Sequence, residues 1–96
     1  MRRAARADDN QPAIVEALRQ CGATVAITSK LGGGYPDLTV GYRGVTFMME
    51  LKDGDKSPSE RKLTPAEEKF HREWRGGPLH VVNSVREALQ VIEGWR

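Results

Sequence analysis

Asp37-Leu38-Thr39-Val40-Gly41-Tyr42-Arg43-Gly44-Val45-Thr46-Phe47-Met48-Met49-Glu50-Leu51-Lys52 is the stretch that decides the fold. Apolar side chains recur at every second position, first Leu38, Val40 and Tyr42, then Val45, Phe47, Met49 and Leu51, with Arg43-Gly44 between the two runs. Period two belongs to a half-buried strand, and two strands joined by a two-residue connection containing glycine make a hairpin. With Arg43-Gly44 as the turn, Tyr42 opposes Val45, Val40 opposes Phe47 and Leu38 opposes Met49. One step further, Asp37 opposes Glu50. One face of the hairpin is then wholly apolar, and the other carries Asp37, Thr39, Met48, Glu50 and Lys52. Arginine in the first turn position requires positive φ, and an adjusted loop would shift this register by about a residue.

Upstream, Asp8, Asp9 and Asn10 offer helix-start chemistry and Pro12 suits a first turn, so a helix is expected to about Gln20. Ile14, Ala17, Leu18 and Cys21 would share its apolar face, and Gly22 would end it. Thr24 to Thr28 reads as a short strand leading into the open loop Gly32-Gly33-Gly34. Downstream, residues 53–62 are polar and turn-rich and are expected to form a mobile surface loop. Thr64, Pro65 and Glu67 then spell a capping box, with Leu63, Ala66, Phe70 and Trp74 as an apolar stripe. Gly76-Gly77-Pro78 closes that helix, Leu79 to Val82 reads as a last strand, and Ser84 with Glu87 caps a helix carrying Val85, Ala88, Leu89 and Ile92. The predicted order is α-β-β-β-α-β-α without internal repeat. It describes one α/β domain over residues 9–96, preceded by a flexible basic arm over 1–8.

Ninety-six residues fit a single core, and a chain this short is helped by a further buried surface, most simply a second copy of itself. The composition, 39% hydrophobic and 29% charged, is that of a folding domain, without the low apolar content and high net charge of a disordered chain. Fifteen basic against thirteen acidic residues leave a net charge of +2, which excludes a histone-like coating of nucleic acid but permits a local basic patch. A lone Cys21 can form neither an internal disulfide nor a thiolate cage, so a reduced, cytoplasmic setting is expected. The basic start lacks the apolar run of a signal peptide, and no segment is long enough to cross a membrane.

Two opposed carboxylates on paired strands have Cβ atoms ~5 Å apart and repel unless a proton or cation lies between them. Their hard oxygens suit Mg²⁺ or Mn²⁺, with coordination positions left for water and a phosphate oxygen. Lys52, on the same face two residues beyond Glu50, can reach that water or phosphate. Together they supply what metal-assisted phosphodiester hydrolysis needs: charge neutralisation, an activated water and a cation near developing negative charge. The alternative is an ordinary Glu50-Lys52 pair on an exposed strand with Asp37 capping a turn after Pro36.

Gly34-Tyr35-Pro36-Asp37, Met49-Glu50-Leu51-Lys52 and Leu63-Thr64-Pro65-Ala66-Glu67, in that order, resemble the signature of the PD-(D/E)XK nucleases, specifically the stand-alone VRR-NUC domains of phages and bacteria. The resemblance spans nearly the whole chain. It implies an αβββαβ restriction-endonuclease-like core, with a central mixed sheet flanked by helices, and a Mg²⁺-dependent endonuclease acting on DNA. Asp37 and Glu50 would bind the metal, the Leu51 carbonyl would assist, and Lys52 would position or activate the attacking water. It further implies a homodimer acting on branched DNA, like a Holliday-junction resolvase, in a bacterial cell or phage-infected host.

Two positions depart from that pattern. The glutamate usual on the first helix is replaced by Gln11, which can orient water through its amide oxygen but binds a divalent ion less well; Asp8 or Asp9 could substitute. Glu67 stands where glutamine is usual, either as a helix cap or beside the site. A DNA-binding module that has lost catalysis is therefore the alternative function, and a structural domain with a fortuitous acid pair is a third. His71 and His80 read as packing or solvated residues, and Trp74 and Trp95 as anchors. Arg2, Arg3, Arg6, Lys30, Lys56, Arg61 and Lys62 are candidates for phosphate contacts.

Overall fold

The computed structural model describes residues 9–94; the proposed arm, with Arg2, Arg3, Arg6 and Asp8, and the terminal Trp95 lie outside the described residues. The chain runs α1 (Gln11–Gln20), β1 (Thr24–Ile27), β2 (Leu38–Tyr42), β3 (Val45–Leu51), α2 (Pro65–Glu73), β4 (Leu79–Val82) and α3 (Val85–Gly94). The four strands form one mixed sheet in the order β1-β2-β3-β4, antiparallel except for the parallel β3-β4 pair. The α/β class and the αβββαβ order both hold.

The β2-β3 hairpin takes the expected register: Leu38 pairs with Met49, Val40 with Phe47 and Tyr42 with Val45. Arg43 adopts φ 51° and Gly44 φ 80°, so both turn residues lie in the left-handed region that a tight hairpin demands. Arg43 bears that strain, and its guanidinium lies 5.0 Å from the centroid of the Tyr42 ring. The apolar face of the hairpin meets α1 and α3: Ile14, Leu18, Leu38, Val40, Phe47, Met49, Leu51, Val82, Ala88 and Ile92 form the buried cluster. Burying each large side chain contributes about 1.5–3 kcal/mol, and Phe47, at the centre, is the one whose truncation would cost most.

Helix α1 ends at Gln20 as expected, but Cys21 does not join its apolar face. Gly22, at φ 95°, closes a Schellman motif in which its N–H reaches the Arg19 carbonyl and that of Ala23 reaches Leu18. The helix is thereby cut at Gln20, leaving Cys21 exposed as the cap residue rather than on the apolar face, where Val15 stands instead. Pro58–Arg61, within the segment expected to be a mobile loop, forms a 3-10 turn with Ser57 and Glu60 as its capping box.

Helix α2 lies over the opposite, polar face of the sheet and buries no residue fully. Gly34 is pressed against the Ala66 carbonyl with no room for a Cβ, Tyr35 packs edge-on against Phe70 at 5.2 Å, and Phe70 stacks on Trp74 at 5.3 Å. Trp74 anchors the end of α2 by donating to the Gly77 carbonyl. On this face Met48 and Glu50 are buried, and Lys52 is partly exposed. No helix among the described residues is long and apolar enough to cross a membrane.

Candidate active site

Pairing of β2 with β3 ends at Leu38 and Met49, and the next residues outward are Asp37 and Glu50, at the mouth of the hairpin. Asp37 is held from both sides: its carbonyl accepts from Thr28 N–H at 2.8 Å, and its Oδ2 accepts from Leu51 N–H at 2.8 Å. The second bond fixes the carboxylate against β3. Met48 and Lys52 donate their N–H groups to β4 (Pro78 and Val82 carbonyls), so by strand alternation the polar groups of Leu51 turn the other way, toward Asp37. The Leu51 carbonyl is thus carried to the side of the acid.

Glu50 is 3% exposed, and its Oε1 has no hydrogen-bond partner among the described residues. Burial, followed by the negative charges of Asp37 and Glu67, pushes its pKa up to about 10. Asp37 is also raised, chiefly by burial, although the Leu51 N–H and a hydrogen bond from Glu50 work against the rise. In the absence of a cation the pair resolves its repulsion by keeping a proton on Glu50.

Lys52 stands on the same face. Its ammonium is 3.9 Å from Glu50 Oε2 and 3.0 Å from Glu67 Oε1. Glu67 is therefore not merely a cap. Its Oε1 also accepts from Thr64 N–H at 2.9 Å, while its own N–H donates to Thr64 Oγ1 at 3.2 Å, completing the capping box of α2. Burial would raise Glu67, but the Thr64 N–H and the Lys52 ammonium outweigh it and lower its pKa.

Gln11 opens α1, is 8% exposed, and has an unpartnered Oε1. The residue before it, Asn10, donates through Nδ2 to the carbonyls of both Lys52 and Asn83 at 3.2 Å, which pins the start of α1 to the ends of β3 and β4. Gln11 is therefore brought to the acid-bearing end of the sheet, although no hydrogen bond joins its side chain to Asp37 or Glu50 among the described residues. His71, one turn beyond Glu67, is half-buried with an unpartnered Nε2; burial lowers its pKa, and it feels both Glu67 and Lys52. Lys30, Lys56 and Lys62 are exposed and Arg61 partly so.

These donors fit a small divalent cation. A buried Glu50 and a half-buried Asp37 whose negative charges repel, with an orphaned Glu50 oxygen among the described residues, are the environment a hard cation relieves. No three His, Cys, Asp or Glu side chains are grouped as a metal cage among the described residues. Asp37, Glu50 and the Leu51 carbonyl would thus leave part of the shell to water and substrate.

The fold has a counterpart among solved structures. A chain described as a VRR_NUC domain superposes with a TM-score of 0.65 at 26% identity, covering 93% of this chain and 100% of that one. This chain has the VRR-NUC fold. No protein-family model matches the sequence, and no match was found among curated proteins. The VRR-NUC fold is a restriction-endonuclease-like, nuclease-type architecture, in keeping with the mixed sheet and flanking helices described above.

Within this VRR-NUC fold, Asp37, Glu50 and Lys52 come together as the hairpin register requires. Glu67, which the sequence left open between a helix cap and a place beside the site, fills both, through a bond to Lys52 across a 15-residue interval; the part played by Asn10 was not legible. Asn10 offered helix-start chemistry, yet its side chain makes no cap bond and instead reaches across the sheet end.

Proposed function

We propose that this domain is a Mg²⁺-dependent endonuclease that hydrolyses DNA phosphodiester bonds, with Mn²⁺ able to substitute. The observation that carries the reading is the Asp37-Glu50 pair, in which the buried Glu50 retains a proton without a cation, with the Lys52 ammonium 3.9 Å from it. Asp37, Glu50 and the Leu51 carbonyl would hold the ion. When bound, it supplies charge neutralisation and Lewis-acid polarisation of the phosphate.

The chain's own residues do the rest. Leu51 N–H keeps Asp37 Oδ2 aimed along β3, so the carboxylate needs little reorganisation as charge develops. Lys52 places a positive charge on the face that carries the acids, where it can orient an attacking water and stabilise negative charge on the phosphate. Gln11 would orient water through its amide oxygen, a task that needs no charge. Lys30, Lys56, Arg61 and Lys62 would contact the backbone of the bound strand, so affinity should fall as salt rises. Branched DNA as the preferred substrate, with two copies of the chain acting on two strands, completes the proposal; Ile27, Leu31 and Val81 are exposed apolar side chains that a second copy could cover.

The neutral Gln11 where the fold family usually has an acid favours one rival, a DNA-binding module with weak or no catalysis. Labelled linear, flapped and four-way-junction DNA incubated with Mg²⁺, Mn²⁺ or chelator separates the two. Cleavage only with the divalent ion, lost in Asp37→Asn and Glu50→Gln, is the expected result. Salt-sensitive binding without cleavage of any substrate would establish the rival, and unchanged cleavage by both variants would remove the acids from the mechanism.

A further inference from the structure

Beside Glu50 the sheet carries a side chain that no step of the proposed reaction uses. Across the parallel β3-β4 ladder Glu50 pairs with Val81, and Leu51 pairs with Val82. Partners across a parallel ladder emerge on the same face, and neighbouring strands lie about 5 Å apart, so Val81 is the immediate lateral neighbour of Glu50. Alternation along β4 agrees: Val82 is buried with Leu51 in the core, whereas Val81 is 40% exposed. On that side β4 is the last strand of the sheet. The candidate site is thus bounded toward β4 by an exposed apolar side chain set against a buried carboxyl. When a phosphodiester sits at the Asp37-Glu50 pair, the carbon-bearing groups nearest its phosphorus are the two flanking sugars, each bonded to it through one oxygen. Valine offers them neither donor nor acceptor. A deoxyribose presents only a methylene at C2′, whereas a ribose presents a hydroxyl that loses its hydration against Val81 and gains no partner there.

We propose that Val81 is a specificity-determining residue that packs against a sugar beside the scissile phosphate and favours deoxyribose over ribose. The inference rests on the reading above, in which a DNA phosphodiester is cut at Asp37 and Glu50, and adds the side chain that tells DNA from RNA. It assigns Val81 to the substrate. Ile27, in β1 at the opposite edge of the sheet, and Leu31 just beyond that strand are left to a second copy.

The test compares cleavage in Mg²⁺ of the DNA that the wild type cuts with cleavage of the same DNA carrying a single ribonucleotide on one or the other side of the scissile phosphate, after subtraction of a chelator blank. Ribose on one of the two sides should lower kcat/KM about tenfold, since an enclosed apolar pocket rejects an added hydroxyl by about a hundredfold and Val81 stands partly in water. Val81→Thr, which keeps the branched shape and supplies a hydroxyl partner, should shrink that ratio to within about threefold. Val81→Ile, bulkier and still apolar, should keep it. In Asp37→Asn protein, which leaves bound DNA uncut, the Val81 methyl resonances, identified by their loss in Val81→Thr, should show nuclear Overhauser contacts to sugar protons. The proposal is overturned if ribose on neither side slows the wild type, if Val81→Thr leaves the ratio unchanged, if Val81→Ile loses it, or if the Val81 methyls meet no sugar. Should the wild type bind DNA and cut none, the nuclease reading falls and the methyl–sugar contacts still decide this inference; a protein that binds no DNA overturns both.

Discussion

Replacing Glu50 by glutamine should make the metal-free protein more stable, and the size of the gain follows from the site. Glu50 is 3% exposed and its pKa is pushed from 4.5 to about 10, so at pH 7 the folded protein holds a proton that the unfolded chain releases. The sign is that of a group raised on folding: its favourable contribution is complete below the unfolded value and is lost as pH climbs toward the folded one. Because the folded value lies well above 7, the loss at pH 7 depends only on the distance from 4.5 and amounts to about 3 kcal/mol at ~1.4 kcal/mol per pH unit. Glutamine does not titrate and escapes it. His71, whose pKa is lowered mainly by burial, loses stability in the opposite direction, as pH falls through its range, but it cancels when the two proteins are compared at each pH. Urea unfolding in chelator from pH 4 to pH 8 is the assay. The proteins should coincide near pH 4 and diverge to about 3 kcal/mol at pH 7, a midpoint difference of roughly 2 M. Added Mn²⁺ should raise the stability of the wild type and not of the variant. A difference that is constant across pH, or absent at pH 7, would refute the assignment of a buried, proton-retaining Glu50.

Lys52→Ala should lower the cleavage rate far more than Mn²⁺ affinity, since the lost contact belongs to the reacting phosphate; equal losses in single-turnover kinetics and calorimetry would make Lys52 a support instead. Gln11→Glu should tighten divalent-ion binding by adding charge beside the acids, and Gln11→Ala should weaken cleavage without abolishing it; calorimetry and cleavage unchanged in both would place Gln11 outside the site. Gly34→Ala should destabilise by at least about 2 kcal/mol and impair cleavage, because it combines φ 82° with a methyl against the Ala66 carbonyl, and thermal unfolding with cleavage assays reads both effects. Arg43→Gly should stabilise by about 1 kcal/mol by relieving φ 51°, less whatever the Tyr42 contact contributed, with cleavage unaffected.

The sequence was most legible where a local rule acted alone. Strand alternation with a two-residue turn specified which residues of β2 and β3 face one another, and hence the meeting of Asp37, Glu50 and Lys52. Capping spacings located the starts of α2 and α3, where Glu67 N–H reaches Thr64 Oγ1 and Glu87 N–H reaches Ser84 Oγ. Legibility failed where two local rules competed or where tertiary contact decided. At the end of α1 the helical period would have admitted Cys21 to the core, but the Gly22 stop makes it the cap residue and turns it outward. Asn10 carries the chemistry of a cap and spends it on carbonyls 42 and 73 residues away. No spacing rule in the chain reports such a partner.

The hairpin that carries the acids has its two faces committed to different tasks. Leu38, Val40, Phe47 and Met49 supply the core on one side, while Glu50 and Lys52 stand on the other. A shift of one residue along either strand would exchange the faces, sending ionisable groups toward α1 and α3 and the hydrophobic set toward solvent. Loss of the site and loss of the fold are therefore a single event for this segment. An insertion or deletion at Arg43-Gly44 would not yield a stable but inactive protein, whereas single substitutions at Glu50 or Lys52 would. The fold therefore tolerates a change of length in loops such as 53–62, whereas change within the hairpin must proceed by replacement alone.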